Sequence, residues 1–228
     1  MTDFKQQFSD FIDATRASRE LSERDRDYID HKQWTAAQRA VLQSRNQAPV
    51  VINRIKPKHD FLLGLERASR TDPKAFPRTP QHAQDAESIT DALRFVADNT
   101  NLDQVASDVF DQVTGEGYGA LIVEVEGPRS EIKIRQVPFD RFYYDPHSRR
   151  RDFSDASYLG ITTWLWLDEA EELFPDADLS SLGEQFGGEG QTFDDKPLWV
   201  DKKHRNRPRV RINEHYFKKD GVWQVVFF

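Results

Sequence analysis

The chain has 228 residues, 37% hydrophobic and 31% charged, with a formal net charge of -7; this length buries a substantial core and excludes a minimal scaffold. Cys is absent, which removes disulfides, thiolate metal sites and cysteine nucleophiles and makes a reducing cytosol the expected place of synthesis. No run of about 18 apolar residues is present to span a bilayer, and the acidic balance argues against a general polyanion binder, which needs clustered Lys and Arg.

In chain order, Phe4, Phe8, Phe11 and Ile12 fall at i, i+4, i+7 and i+8, the apolar stripe of an amphipathic helix. After Leu21 the stripe gives way to the charged segment SERDRDYIDH. Trp34, Ala37 and Val41 share a helical face, and Thr35 with Gln38 is placed for a capping box, so a short helix is predicted over about 35–45. The run APVVIN ends in the good N-cap residue Asn53, with Phe61, Leu62, Leu65 and Ala68 at helical spacing beyond it and Pro57 tolerable in the first turn. Three prolines between Asp72 and Pro80 predict an extended connection. Two further helices are predicted, one presenting Ile89, Leu93 and Val96, the next Leu102, Val105, Val109 and Val113.

From Gly115 the period changes from 3.6 to 2. Leu121, Val123 and Val125 alternate with Glu124 and Glu126, and Ile132 and Ile134 with Lys133 and Arg135, across Gly127-Pro128, which predicts a hairpin. Tyr158–Trp166 is a further strand, Asp168 with Glu171 is placed to cap a short helix stopped at Pro175, and residues 176–196 read as an exposed loop. Strands near 209–218 and 222–228 join through Asp220-Gly221.

Helices first and antiparallel strands afterwards predict an α+β fold, with a mainly helical region over 1–114 and a β-rich region over 115–228. The final WQVVFF places two aromatics on what reads either as the last strand of a complete sheet or as an unfinished strand that begins a larger protein.

Chemistry-bearing motifs are sparse. Gly115, Gly117 and Gly119 stand between a helix and a strand, the reverse of a phosphate loop, and no Lys-Ser/Thr follows; a helix C-cap with positive φ explains them better. The six histidines, at 31, 59, 82, 147, 204 and 215, show no ligand spacing and read as solvated or internally satisfied. No nucleophile motif is present, and no catalytic residue, metal site or cofactor is assigned. Two basic clusters remain as candidate subunit-interface or phosphate contacts. Arg149, Arg150 and Arg151 lie near Asp145, Asp152 and Asp155, which favours a local ion-pair network, and Lys202, Lys203, Arg205, Arg207, Arg209 and Arg211 form the densest basic run.

Several segments in fixed order carry a resemblance. Trp34 precedes a short helix, APVVINRI enters the next, a helix pair ends in GEGYGALIVEVE, the hairpin exits through IRQVPFDRFYYDP, and RDFSDASYLGITTWLWLDEAEELFPDA follows. From about Tyr28 to its end the chain resembles the N-terminal portion of the portal proteins of short-tailed bacteriophages, the Salmonella-phage-type portal family. The resemblance implies a truncated, wing-like region, with the channel helices, the clip and the crown beyond it. The basic clusters are then structural or interfacial.

By that resemblance the function is mechanical and not enzymatic: a ring, dodecameric in the full-length protein, at one capsid vertex of the virion, through which DNA is packaged and ejected. Implied partners are further copies of the chain, coat and scaffolding proteins, terminase and tail adaptor through the absent regions, and double-stranded DNA passing non-specifically. No membrane is involved, and synthesis is in the host bacterial cytoplasm. Two other classes stay open at this point: a metal-dependent DNA-processing enzyme using dispersed carboxylates with the basic run at 202–211, and a monomeric adaptor or scaffold module.

Overall fold

A computed structural model of the chain describes residues 3–128, 130–150, 152–175 and 209–228. The first helix, α1 (Phe4–Ile29), starts where the Asp3 carboxylate accepts from Lys5 N and Gln6 N. It carries the Phe4-Phe8-Phe11-Ile12 stripe and continues through the charged segment after Leu21, because Glu and Arg are good helix formers without an apolar face to present. The capping box of α2 (Ala36–Ser44) is formed, Thr35 Oγ1 accepting from Gln38 N at 3.2 Å and Gln38 Oε1 from Thr35 N at 2.9 Å. No residue of α2 is buried, so local capping and not packing defines it.

Asn53 starts α3 (Lys56–Ala68) from two residues upstream of its geometric cap: Asn53 Oδ1 accepts from Ile55 N and Lys56 N, and Pro57 sits in the first turn as predicted. The expected apolar face of α3 does not become core. Phe61, Leu62, Leu65 and Ala68 are exposed, while the inward side carries buried His59 and half-buried Leu63 and Glu66, with Arg70 just past the helix end. Residues 70–79 are irregular, as the prolines predict, and lead to α4 (Ala83–Asn99) and α5 (Leu102–Glu116). Gly117, at φ 103°, caps α5 with its N–H donating to Val113 O, which is the role assigned to the glycine cluster.

The predicted hairpin is β1 (Ala120–Glu126) with β2 (Glu131–Val137), antiparallel, with Val123 opposite Ile134 and Val125 opposite Ile132. A second antiparallel sheet runs in the order β3 (Phe142–Tyr144), β4 (Tyr158–Trp166), β5 (Arg209–Lys219), β6 (Val222–Phe227). Asp220 and Gly221 both have positive φ, the requirement of a tight two-residue hairpin turn. Beyond β6, Phe228 exchanges both backbone hydrogen bonds with Asn213. The short helix α6 (Leu167–Leu173) starts one residue earlier than its predicted cap: β4 runs straight into it, and Glu169 accepts from Trp166 N at 3.3 Å, so Asp168 lies in the first turn instead of at the cap. The predicted loop at 176–196 lies outside the described residues.

The fold is therefore α+β, helices first and antiparallel sheets after. Two compact units are present, one of Met1–Glu20 with Asp140–Phe228 and one of Leu21–Phe139. The change of period at Gly115 falls inside the second unit, because α5 packs on β2 as well as on α3 and α4.

Candidate functional site

In the first unit the stripe of α1 lies on one face of the four-stranded sheet. Phe8, Phe11, Tyr143 and Tyr158 form the buried cluster, joined by Ile12, Tyr144, Phe217 and Phe228. Gly160, opposite Tyr143, makes this possible: a Cβ there would stand 2.3 Å from the Tyr143 ring and 2.6 Å from Glu214 O, so the tyrosine lies over bare backbone.

Polar groups are threaded through this apolar layer. His215, fully buried, is ringed by Phe4, Tyr143, Tyr158, Phe217 and Phe228. Its Nε2 lies 2.9 Å from Gln7 Oε1 and its Nδ1 3.1 Å from Tyr143 Oη. The amide oxygen only accepts, so Nε2 carries the proton and Nδ1 accepts from Tyr143. Burial without a counter-charge pushes the imidazole down to about 4, and burial raises Tyr143 and, to about 12, Tyr158. Two residues along β5, Asn213 accepts from Thr162 Oγ1 at 2.9 Å. This chain of groups is structural: His215, Tyr143, Gln7, Asn213 and Thr162 satisfy one another inside the unit. His215 is thus the internally satisfied histidine, and the period-2 placement of Arg211, Asn213, His215 and Phe217 on one face of β5 is the signal that locates it.

The basic candidates divide by position. Arg149 and Arg150 are exposed in the loop between β3 and β4. The neighbouring carboxylates organise the loop backbone. Asp155 accepts from Arg149 N at 2.8 Å, Ser148 Oγ at 2.7 Å and Arg150 N at 3.3 Å, which holds its carboxyl down at about 2. Asp145 accepts from His147 N and Ser157 N, hydrogen bonds that outweigh the upward push of burial, and Asp152 accepts from Ser154 N. Among the described residues neither Arg149 nor Arg150 comes within ion-pair distance of these three acids, although the Arg150 charge still helps hold Asp152 low; the described contacts of the acids are backbone caps.

Arg209 and Arg211 lie at the other end of β4, opposite Trp166 and Trp164. The Arg209 guanidinium sits 5.5 Å from the Trp166 ring centre and 5.7 Å from that of Trp164, and Arg211 stacks 4.7 Å above Phe8, where burial lowers its pKa. Among the described residues, then, Arg149 and Arg150 precede the Tyr158 end of β4, and Arg209 and Arg211 stand at its Trp166 end. Arg151, Lys202, Lys203, Arg205 and Arg207 lie outside the described residues.

The second unit contains a polar cleft of about 160 Å³ lined by Arg26, Lys56, His59, Asp60, Asp111 and Glu116. Its charges are satisfied within the chain: Arg26 pairs with Glu116, Lys56 with Asp60 at 3.3 Å, and His59 Nε2 lies 3.0 Å from Thr114 Oγ1 and 3.3 Å from Asp111. Among the described residues no group of three His, Asp or Glu is placed to hold a metal ion, and no helix is long and apolar enough to cross a membrane.

A search of curated proteins returned no match. The phage P22-like portal protein family matches residues 5–227, which takes in all the segments that carry the resemblance and reaches back from Tyr28 into the aromatic stripe of α1. With a match over nearly its whole length and a helix-then-sheet order that agrees, the chain belongs to the phage P22-like portal protein family.

Proposed function

We propose that the chain is a structural component of a phage portal ring, forming part of the channel by which DNA enters the capsid during packaging and leaves it during ejection. The observation that carries this reading is the family match over residues 5–227. Membership of a portal family implies a structural and not a catalytic role, a place in the virion capsid, and an oligomeric ring.

The physical features agree with a passive conduit. A chain of net charge -7 resists tight binding to a polyanion, and sliding requires weak contact, since each phosphate neutralised adds to the grip. The His215 chain is buried, and Arg26 of the second unit pairs with Glu116 of the same chain. Exposed Arg149 and Arg150 are proposed as contacts to neighbouring copies. The ring is a dodecamer that meets coat and scaffolding proteins, terminase and tail adaptor. The protein is made in the host bacterial cytoplasm and finishes at the capsid vertex.

The test is the particle mass by light scattering over a concentration series, with electron microscopy of the heaviest species. Closed rings with a central opening are expected; a monomer at every concentration overturns the reading.

A further inference from the structure

The second unit is partly inside out. Apart from Leu63 the inward side of α3 is polar: Glu66, with Arg70 just past the helix end, meets Ser107 of α5, and His59 meets Thr114. Its outward side carries Phe61, 70% exposed, with Leu62 and Leu65 at 43% and 55%. A helix that turns its apolar stripe to solvent and its polar side to its own core is poorly served as an isolated chain.

A second uncovered apolar surface lies on another element. Leu121, Val123, Val125 and Ile132 share one face of the two-stranded β1–β2 ribbon, with Val123 and Val125 59% and 65% exposed. Two strands alone are marginal in water; α5 covers this face at the end where Gln136 Nε2 donates to Asp108 O, and Val123, Val125 and Ile132 stay bare. α3 and β2 each pack on α5, so the two surfaces belong to different elements of one unit.

A ring requires two different surfaces on each copy. A single self-complementary patch closes a two-fold dimer, whereas a head-to-tail contact joins two different surfaces and repeats around an axis. The rims are complementary in charge as well. Lys58 is on the outward face of α3, at i-3 to Phe61 and i-7 to Leu65, exposed and without an ion pair among the described residues. At the turn end of the ribbon Glu126 stands directly opposite Glu131; Glu131 reaches Lys133 at 3.6 Å, and Glu126 has no cation among the described residues. Like charges directly opposed across a ladder are destabilising, and a lysine from outside relieves them.

We propose that the outward stripe of α3, centred on Phe61 and Leu65, packs in the assembled protein on the apolar face of the β1–β2 ribbon of the next copy, with Lys58 reaching Glu126 at the rim. The occupant is a second copy of this chain, and the inference rests on the ring reading above.

The absence of native Cys makes the test clean. Two variants, Leu65→Cys and Val123→Cys, both at exposed positions, are prepared separately, checked for unchanged circular dichroism, and treated with a short bismaleimide alone and after mixing. A covalent dimer in the mixture, and none above background in either variant alone, is the expected result. Covalent dimers from either variant alone indicate a two-fold contact and overturn the proposal. A mixture that does not cross-link, while light scattering still shows the assembled species, overturns this pairing and leaves the ring standing. A wild-type chain that stays monomeric at every concentration overturns both. Leu65→Asp supplies an independent reading: it loses the assembled species while the monomer keeps its melting temperature, and retention of the assembly counts against the proposal.

Discussion

The hydroxyl of Tyr143 lies 3.1 Å from Nδ1 of His215, a side chain buried completely among five aromatic rings. With Gln7 Oε1 accepting from Nε2, the arrangement fits the neutral imidazole and opposes its protonation, because a charged ring would offer two donors and no acceptor to the tyrosine. The folded-state pKa of about 4 lies below the unfolded value near 6.5, so between those values the unfolded chain binds the extra proton and stability rises with pH. Lowering the pH from 7 towards 4 should therefore destabilise the protein by up to roughly 3 kcal/mol from this group. The carboxyls of Asp145, Asp152 and Asp155, held below their usual value, add their loss only at lower pH. Denaturant melts at pH 7 and pH 5 read this, and His215→Gln should flatten the slope between them; an unchanged slope would show that another group is responsible.

Gly160 should be intolerant of any side chain. Its missing Cβ leaves room for the Tyr143 ring, and the nearest obstacles include the backbone oxygen of Glu214, which cannot rotate away. Gly160→Ala should destabilise by about 2–3 kcal/mol through overpacking, with Gly64→Ala, which meets nothing within 4 Å, as the control. Equal unfolding midpoints for the two variants would contradict the packing described.

Element order was largely legible in the sequence because punctuation here is local: Thr35 with Gln38, Asn53 before Pro57, Gly117 after α5, and Asp220-Gly221 each act on backbone within a few residues. The destination of an apolar stripe is not local. Phe61 and Leu65 have the spacing of a core face, and only the tertiary arrangement reveals that the opposite side of α3 turns inward. The role of the acids beside Arg149 and Arg150 was hidden for the same reason, since charge proximity in sequence does not distinguish an ion pair from an acid that caps backbone N–H groups. The three-residue strand β3 is too short for a period to register.

Thr35→Ala should cost α2 about 1 kcal/mol, the usual loss for an N-cap. No residue of α2 is buried, so the loss should stay local. Hydrogen exchange of the α2 amides should speed up while the global melting temperature is unchanged. A lowered global transition would mean that α2 is coupled to the core more strongly than its exposure indicates.

Asp155 is the keystone of the loop that displays Arg149 and Arg150, since three donors within eight residues converge on its two oxygens. Asp155→Ala removes all three acceptor contacts at once while leaving Asp145 tied to His147 and Ser157, so the loop should open without unravelling β4. Limited trypsin digestion reads this directly, because loosened backbone at Arg149 and Arg150 becomes a better substrate. The variant should be cut at these arginines faster than the parent protein, with its unfolding transition little moved. Asp155→Asn, which keeps one carbonyl acceptor, should fall between the two. If all three proteins are cut at the same rate, the carboxylate is not what holds the loop, and the proposed presentation of the arginines to a neighbouring copy loses its structural support.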